Sequence, residues 1–152
     1  MGLLNADYKG VALERVLAAG ILRCELGDMR EAPPREGGNG TPGSGPIGKT
    51  IINLTLTEAH KTVDGDVVNA GFPFVTNIAE WADRPLEGPQ KMKELALAAL
   101  GLDRKEHNAK DDWIKLLADR GGWSGLKGSH LLVEVEVKKG FNNVKAWNRI
   151  PR

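Results

Sequence analysis

From Gly20 onward much of the chain is written in period two. In ILRCELGDM, Leu22, Cys24 and Leu26 alternate with Arg23 and Glu25, the pattern of a strand with one buried face. KTIINLTLTEAHKTV repeats it, with Ile52, Leu54 and Leu56 set against Asn53, Thr55 and Thr57, and predicts a second strand. A turn signal follows at Asp64–Gly65–Asp66, and VVNAGFPFVT reads as the returning strand of a hairpin. Pro73 within it requires an edge position or a bulge, because proline has no N–H to give a central ladder. Near the C-terminus, SHLLVEVEVKKGFNNVKAWNRI predicts two strands around a turn at residues 139–142, the first with Leu131, Val133, Val135 and Val137 on one face.

The period changes to that of a helix in three places. VALERVLAAG forms a loosely helical patch, with Val11, Leu13, Val16 and Leu17 apolar and Gly20 placed to stop it. GPQKMKELALAALG predicts a helix with Pro89 in its first turn, Met92, Leu95, Leu97 and Leu100 as the apolar stripe, and Gly101 as C-terminal cap. DDWIKLLADRGG predicts a second, shorter helix, capped by Asp111 or Asp112 and closed by Gly121. Residues 32–48, APPREGGNGTPGSGPIG, are crowded with proline and glycine and read as a long loop inside a single domain, with residues 1–19 an N-terminal extension.

That loop contains GSGPIGKT (Gly43–Thr50), a letter-for-letter match to the phosphate-loop pattern GxxxxGK[ST]. A working phosphate loop needs a buried strand before it and a helix after it, whose N-terminus faces the phosphates. Breaker residues precede this one, and Ile51–Thr57 after it has period two. The match therefore reads as a decoy, and a nucleotide-hydrolysing enzyme ranks last among the candidate functions.

Composition narrows the field further. The 152 residues are 41% hydrophobic and 27% charged, ordinary for a globular domain with its own core. No apolar run approaches the ~18 residues of a membrane span. An N-terminus carrying Asp7 and Glu14 does not read as a secretory signal. The single cysteine, Cys24, falls on an apolar strand face and fits a reducing compartment such as the cytoplasm. His60, His107 and His130 stand far apart and form no ligand pair, so neither metal nor cofactor is expected. The Asp64/Asp66 and Asp111/Asp112 pairs are explained by turn and cap chemistry, and no catalytic group is expected.

The net charge is +1, yet residues 120–152 carry seven Lys/Arg against Glu134 and Glu136, a local +5. Within them, NNVKAWNRI puts Val144, Ala146 and Ile150 on one face, with Asn148 as the odd member, and Lys145, Trp147 and Arg149 on the other. Cation, aromatic, cation is the combination that holds single-stranded nucleic acid, with bases stacked on rings and phosphates tracked by Lys and Arg. Lys138, Lys139 and Phe141 at the preceding turn extend it, as do Arg23, Lys49, and the i, i+2 pair Phe72 and Phe74. The alternative places Trp147 and both phenylalanines in the core, where aromatics usually lie. Trp81, Trp113 and Trp123 are expected to pack helices and loops against the sheet.

The order strand, long loop, hairpin, helical insert, hairpin predicts a mainly β fold with helices between strands three and four: the five-stranded Greek-key barrel of the OB-fold. LAAGILRCELGDM, IGKTIINLTLTEA with its DGD turn, ELALAALGLD, and LKGSHLLVEVEVKKGFNNVKAWNRI together resemble the phage-encoded OB-fold single-stranded DNA-binding proteins, over Gly20–Ile150. The resemblance implies sequence-independent binding and protection of single-stranded DNA, and its presentation to replication or recombination enzymes in the host cytoplasm. Homo-oligomerisation is left open. The rival expectation is a phage structural or protein-interaction β-barrel that binds no nucleic acid.

Overall fold

The computed structural model describes residues 3–6, 15–33 and 45–151. Its strands are β1 (Gly20–Ala32), β2 (Gly48–Leu56), β3 (His60–Lys61), β4 (Val67–Val68), β5 (Pro73–Glu80), β6 (His130–Lys138) and β7 (Phe141–Asn148). Five of them form one antiparallel sheet in the order β5-β2-β1-β6-β7, and β3 and β4 form a separate small hairpin. The period-two positions behave as the sequence predicts: Leu22, Cys24, Leu26, Ile52, Leu54, Leu56, Leu131, Val133 and Val135 are all buried. Each long strand thus gives one face to a shared core.

Between β5 and β6 lie the helices α1 (Glu87–Leu100), α2 (Arg104–His107) and α3 (Asp112–Asp119). Leu95, Ala98 and Ala99 of α1, Leu117 of α3 and Leu126 join the core from this side. Gly101 ends α1 in the left-handed region at φ 74°. Its N–H bonds Ala98 O, and that of Leu102 bonds Leu97 O, the paired bonds that satisfy the last carbonyls of a helix. At the other end Gly88 approaches the sheet so closely that an added Cβ would stand 2.9 Å from Ala79 O. Asp111 makes no capping bond at α3, contrary to the sequence expectation; Asp112 is instead held by His107 Nδ1 at 2.9 Å. No helix among the described residues is long and apolar enough to cross a membrane.

Three further sequence expectations are corrected. The DGD turn does not join β2 to its returning strand; it closes the β3–β4 hairpin, where Thr62 N–H bonds Asp66 O. Only Pro73–Glu80 returns along β2, as an edge strand that tolerates Pro73 at its first position. The helical patch expected to end at Gly20 is not helical over 15–19: Leu17 bridges to Thr62 and is fully buried. Residues 11–14 of that patch lie outside the described residues, as do residues 34–44 of the Pro/Gly segment.

The third correction concerns the barrel. β5 and β7 are the two edges of the sheet and do not pair with each other, so the sheet stays open. The edge of β7 has other partners. Glu94 of α1 accepts the Trp147 N–H at 2.8 Å, and the Asn142 side chain bonds the backbone of Leu17 at both N and O. The carboxylate occupies a β7 backbone donor that a pairing strand could use, while the Asn142 amide ties β7 to the segment before β1.

Candidate nucleic-acid interface

Register decides where the expected site residues point. Along β6 and β7, Val135 faces Val144 but Glu134 faces Ala146, so Lys145 is an extra, bulged residue. A bulge breaks the alternation and re-aims the side chains beyond it. Val144 and Trp147 therefore lie on the same, inner side, and Trp147 is only 3% exposed within the core. This overturns its assignment as an outward stacking platform. Lys145 itself is exposed.

Arg149, expected beside Trp147 on the open face, is engaged instead. Its guanidinium donates to Asp103 Oδ2 at 3.3 Å and to Gly101 O at 3.4 Å. The same corner holds Arg104 on Glu94 at 2.7 Å, and a cleft of about 280 Å³ lies there between α1, α2 and β7. The Asp103 carboxyl is held below the usual carboxylate range, first by the Lys105 backbone N–H it accepts, with further help from Glu106 N–H and the charge of Arg149. Each cation here except Lys105 already has an acid or a carbonyl, so the corner is a structural clasp.

The remaining expected residues, apart from Arg23, fall into two groups along β5. At its start, Phe72 and Phe74 share a cleft of about 340 Å³ with Phe141 and Arg15. Phe72 and Phe74 are half-buried against the core, and Phe141 is 66% exposed. Lys138 and Lys139 are exposed at the adjoining turn, Lys138 within 3.9 Å of Glu136. Lys139 and Gly140 both have positive φ, 52° and 78°, as a two-residue hairpin turn requires.

At the other end of β5, Lys49 lines a cleft of about 330 Å³ with Pro33, Pro46, Asn77, Ala79 and Trp81. Gly48, Lys49 and Thr50 open strand β2, so no helix N-terminus follows the phosphate-loop match and the lysine projects from a strand. Arg84 stacks 4.3 Å from the centroid of the Trp81 ring and also bonds Glu87 at 3.0 Å. The sequence groups Trp81 with the packing tryptophans. Trp113 and Trp123 do pack on the core and on each other, edge to face at 6.3 Å; Trp81 does not. The signal for it lay in spacing: Asn77, Ala79 and Trp81 continue the outward face of β5 at i, i+2 and i+4.

Arg23 stands exposed on β1 between buried Leu22 and Cys24, on the side of the sheet away from the core. Cys24 is fully buried, and desolvation, reinforced by Glu58, pushes its thiol up to about 12. A thiol so held stays protonated and is no nucleophile. Among the described residues no three His, Cys, Asp or Glu side chains converge as a metal site would need. No protein-family model, curated protein or solved structure matches the chain.

Proposed function

We propose that this chain binds single-stranded DNA without regard to sequence, through the outer face of β2 and β5. The observation that carries the reading is the Lys49–Trp81–Arg84 cluster around its cleft. A base can stack on an indole while a lysine and an arginine hold the flanking phosphates. A phosphate at Arg84 competes with Glu87 at 3.0 Å and Asp83 at 3.8 Å.

Topology supports the same reading. Numbered by long strands alone, the sheet runs third, second, first, fourth, fifth, with helices between third and fourth. We read this as a partly open OB-fold, whose second and third strands and two flanking loops bind oligonucleotides. Here those strands are β2 and β5, and the loops are the segment between β1 and β2 and the turn at Lys139–Gly140. The resemblance to phage single-strand-binding proteins, with replication or recombination enzymes as partners in the host cytoplasm, belongs to this proposal.

The test is a fluorescence-anisotropy titration of a labelled single strand of about 30 nucleotides, longer than the ~4–16 of one such fold, against a duplex control. Salt-sensitive binding that prefers the single strand supports the reading. Equal affinity for duplex, or none at low salt, overturns it. A second reading, a protein-interaction domain, draws on Val75 and Phe141, 58% and 66% exposed at the open edges. Sedimentation showing a defined oligomer in a protein that ignores oligonucleotides would favour it.

A further inference from the structure

We infer that the open seam between β5 and β7 is a second stacking station for the same DNA strand, so that one oligonucleotide spans β5 from Trp81 to Phe141. The inference rests on the single-strand reading above and adds a second site and a ligand length to it.

Three observations point to it. First, the unclosed seam leaves ring surface accessible. Phe141 is two-thirds exposed, and Phe72 and Phe74 present their unburied parts to the same cleft of about 340 Å³. That volume is at the small end of ligand pockets, ~300–1,000 Å³, and suits a planar base rather than a duplex. Secondly, cations lie at it: Arg15 lines the cleft, and Lys138 and Lys139 are exposed at the adjoining turn, Lys138 within 3.9 Å of Glu136. An aromatic cleft rimmed by cations fits a base with its phosphates better than an apolar peptide or a second copy of this basic rim. Thirdly, the station is continuous with the first. Pro73 and Val75 line one cleft and Asn77 and Ala79 the other, all on edge strand β5, and Trp81 of the second cleft directly follows its last residue.

The chemistry also fits binding without sequence preference. Among the described residues lining the cleft, Asn142 is the one with a side-chain amide, and both its Oδ1 and Nδ2 are committed to Leu17 at 2.8 and 2.7 Å. Ring faces and cations remain, and every base has a π-face.

The two stations are eight residue steps apart, ~26 Å at ~3.3 Å per residue. A stacked strand rising ~3.4 Å per nucleotide covers that with about eight nucleotides, and a stretched strand with fewer. Both lie within the ~4–16 nucleotides of one such fold.

The experiment is a length series of oligothymidylates of about 4, 8, 12 and 24 nucleotides, bracketing that range, titrated against the full chain. The wild type, Phe141→Ala, Phe141→Trp and Trp81→Ala are compared. Phe141 is exposed, so its variants fold, which matched melting temperatures check. In the wild type, affinity rises steeply between about 4 and about 12 nucleotides. Phe141→Ala removes that rise, weakening the longer ligands roughly 5- to 150-fold, as one lost platform does, while the shortest ligand binds as before. Phe141→Trp restores it. Wild-type affinity for the 12-mer in Phe141→Ala overturns the second station but not the first. A changed oligomeric state with unchanged DNA affinity assigns the seam to contacts between copies, and also overturns it. If the wild type binds no oligonucleotide of any length, the single-strand reading itself fails.

Discussion

The side chain of Asn142 substitutes for a strand at the edge of β7: its Oδ1 accepts from Leu17 N–H at 2.8 Å and its Nδ2 donates to Leu17 O at 2.7 Å, across 125 residues of sequence. Leu17 is fully buried, so this pair fixes the segment before β1 over one end of the core. Asn142→Ala removes both bonds and leaves a backbone N–H and C=O unpaired, at ~1–3 kcal/mol for two bonds of ordinary worth. Asn142→Asp keeps the acceptor for Leu17 N–H but sets a carboxylate oxygen against Leu17 O, and is destabilised as well. Urea unfolding measures both; an unchanged midpoint in the alanine variant refutes this role.

The two tryptophans exchange the roles expected of them from the sequence, and their alanine variants separate by assay. Trp147→Ala empties a large core position and costs ~3–5 kcal/mol of stability. Trp81→Ala leaves stability nearly unchanged and weakens single-strand binding by ~1–3 kcal/mol. Thermal melts and anisotropy on the same two proteins check this. Loss of binding in a fully stable Trp147→Ala would reverse the assignment.

Lys49 and Arg149 differ in availability. Lys49 lines an open cleft, whereas Arg149 is held by Asp103 and Gly101. Each phosphate contact contributes close to one unit to the log–log salt slope. Lys49→Ala lowers that slope by ~1, and Arg149→Ala leaves it as it was. Equal slopes for Lys49→Ala and the wild type would remove Lys49 from the interface.

Two titrations act in opposite directions. Asp103 has its folded pKa lowered, chiefly by the Lys105 N–H. Its contribution is present above the ordinary carboxylate value and is lost as pH falls through the lowered one. Asp103→Asn therefore flattens the acid limb of the stability profile. Cys24 has its folded pKa raised to about 12. Its contribution is complete below the ordinary thiol value of ~8.5 and is lost as pH rises from there towards about 12. At neutral pH the thiol resists alkylation until the protein unfolds; rapid labelling of the native protein would contradict its burial.

Gly88 marks a close approach of α1 to β5. A methyl group there meets Ala79 O at 2.9 Å, so the helix or the strand must shift. Gly88→Ala costs ~1–3 kcal/mol, the usual range for overpacking, although alanine is the better helix former. A stabilised Gly88→Ala would show that the helix has room to move.

The chain's own pattern determined what depends on local periodicity and local backbone chemistry. The inward faces of β1, β2 and β6 followed from alternation. The course of α1 followed from its 3.6-residue stripe, and its end from Gly101, the residue that enters the left-handed region without a Cβ clash. Rejection of the phosphate loop likewise needed only the period of Ile51–Thr57. Tertiary structure decided whatever depends on register between distant strands. One extra residue at Lys145 turned Trp147 inward, and no property of NNVKAWNRI by itself announces a bulge, because the mismatch exists only against β6. Leu17 left its helical pattern because a buried bridge to Thr62 and two bonds from Asn142 outweigh the ~0–0.7 kcal/mol per residue that separates ordinary helix propensities. The sheet stays open between β5 and β7, and Glu94 of the helix takes a β7 backbone N–H that a pairing strand could use. That opening placed Phe72, Phe74 and Phe141, nearly seventy residues apart in sequence, around one cleft.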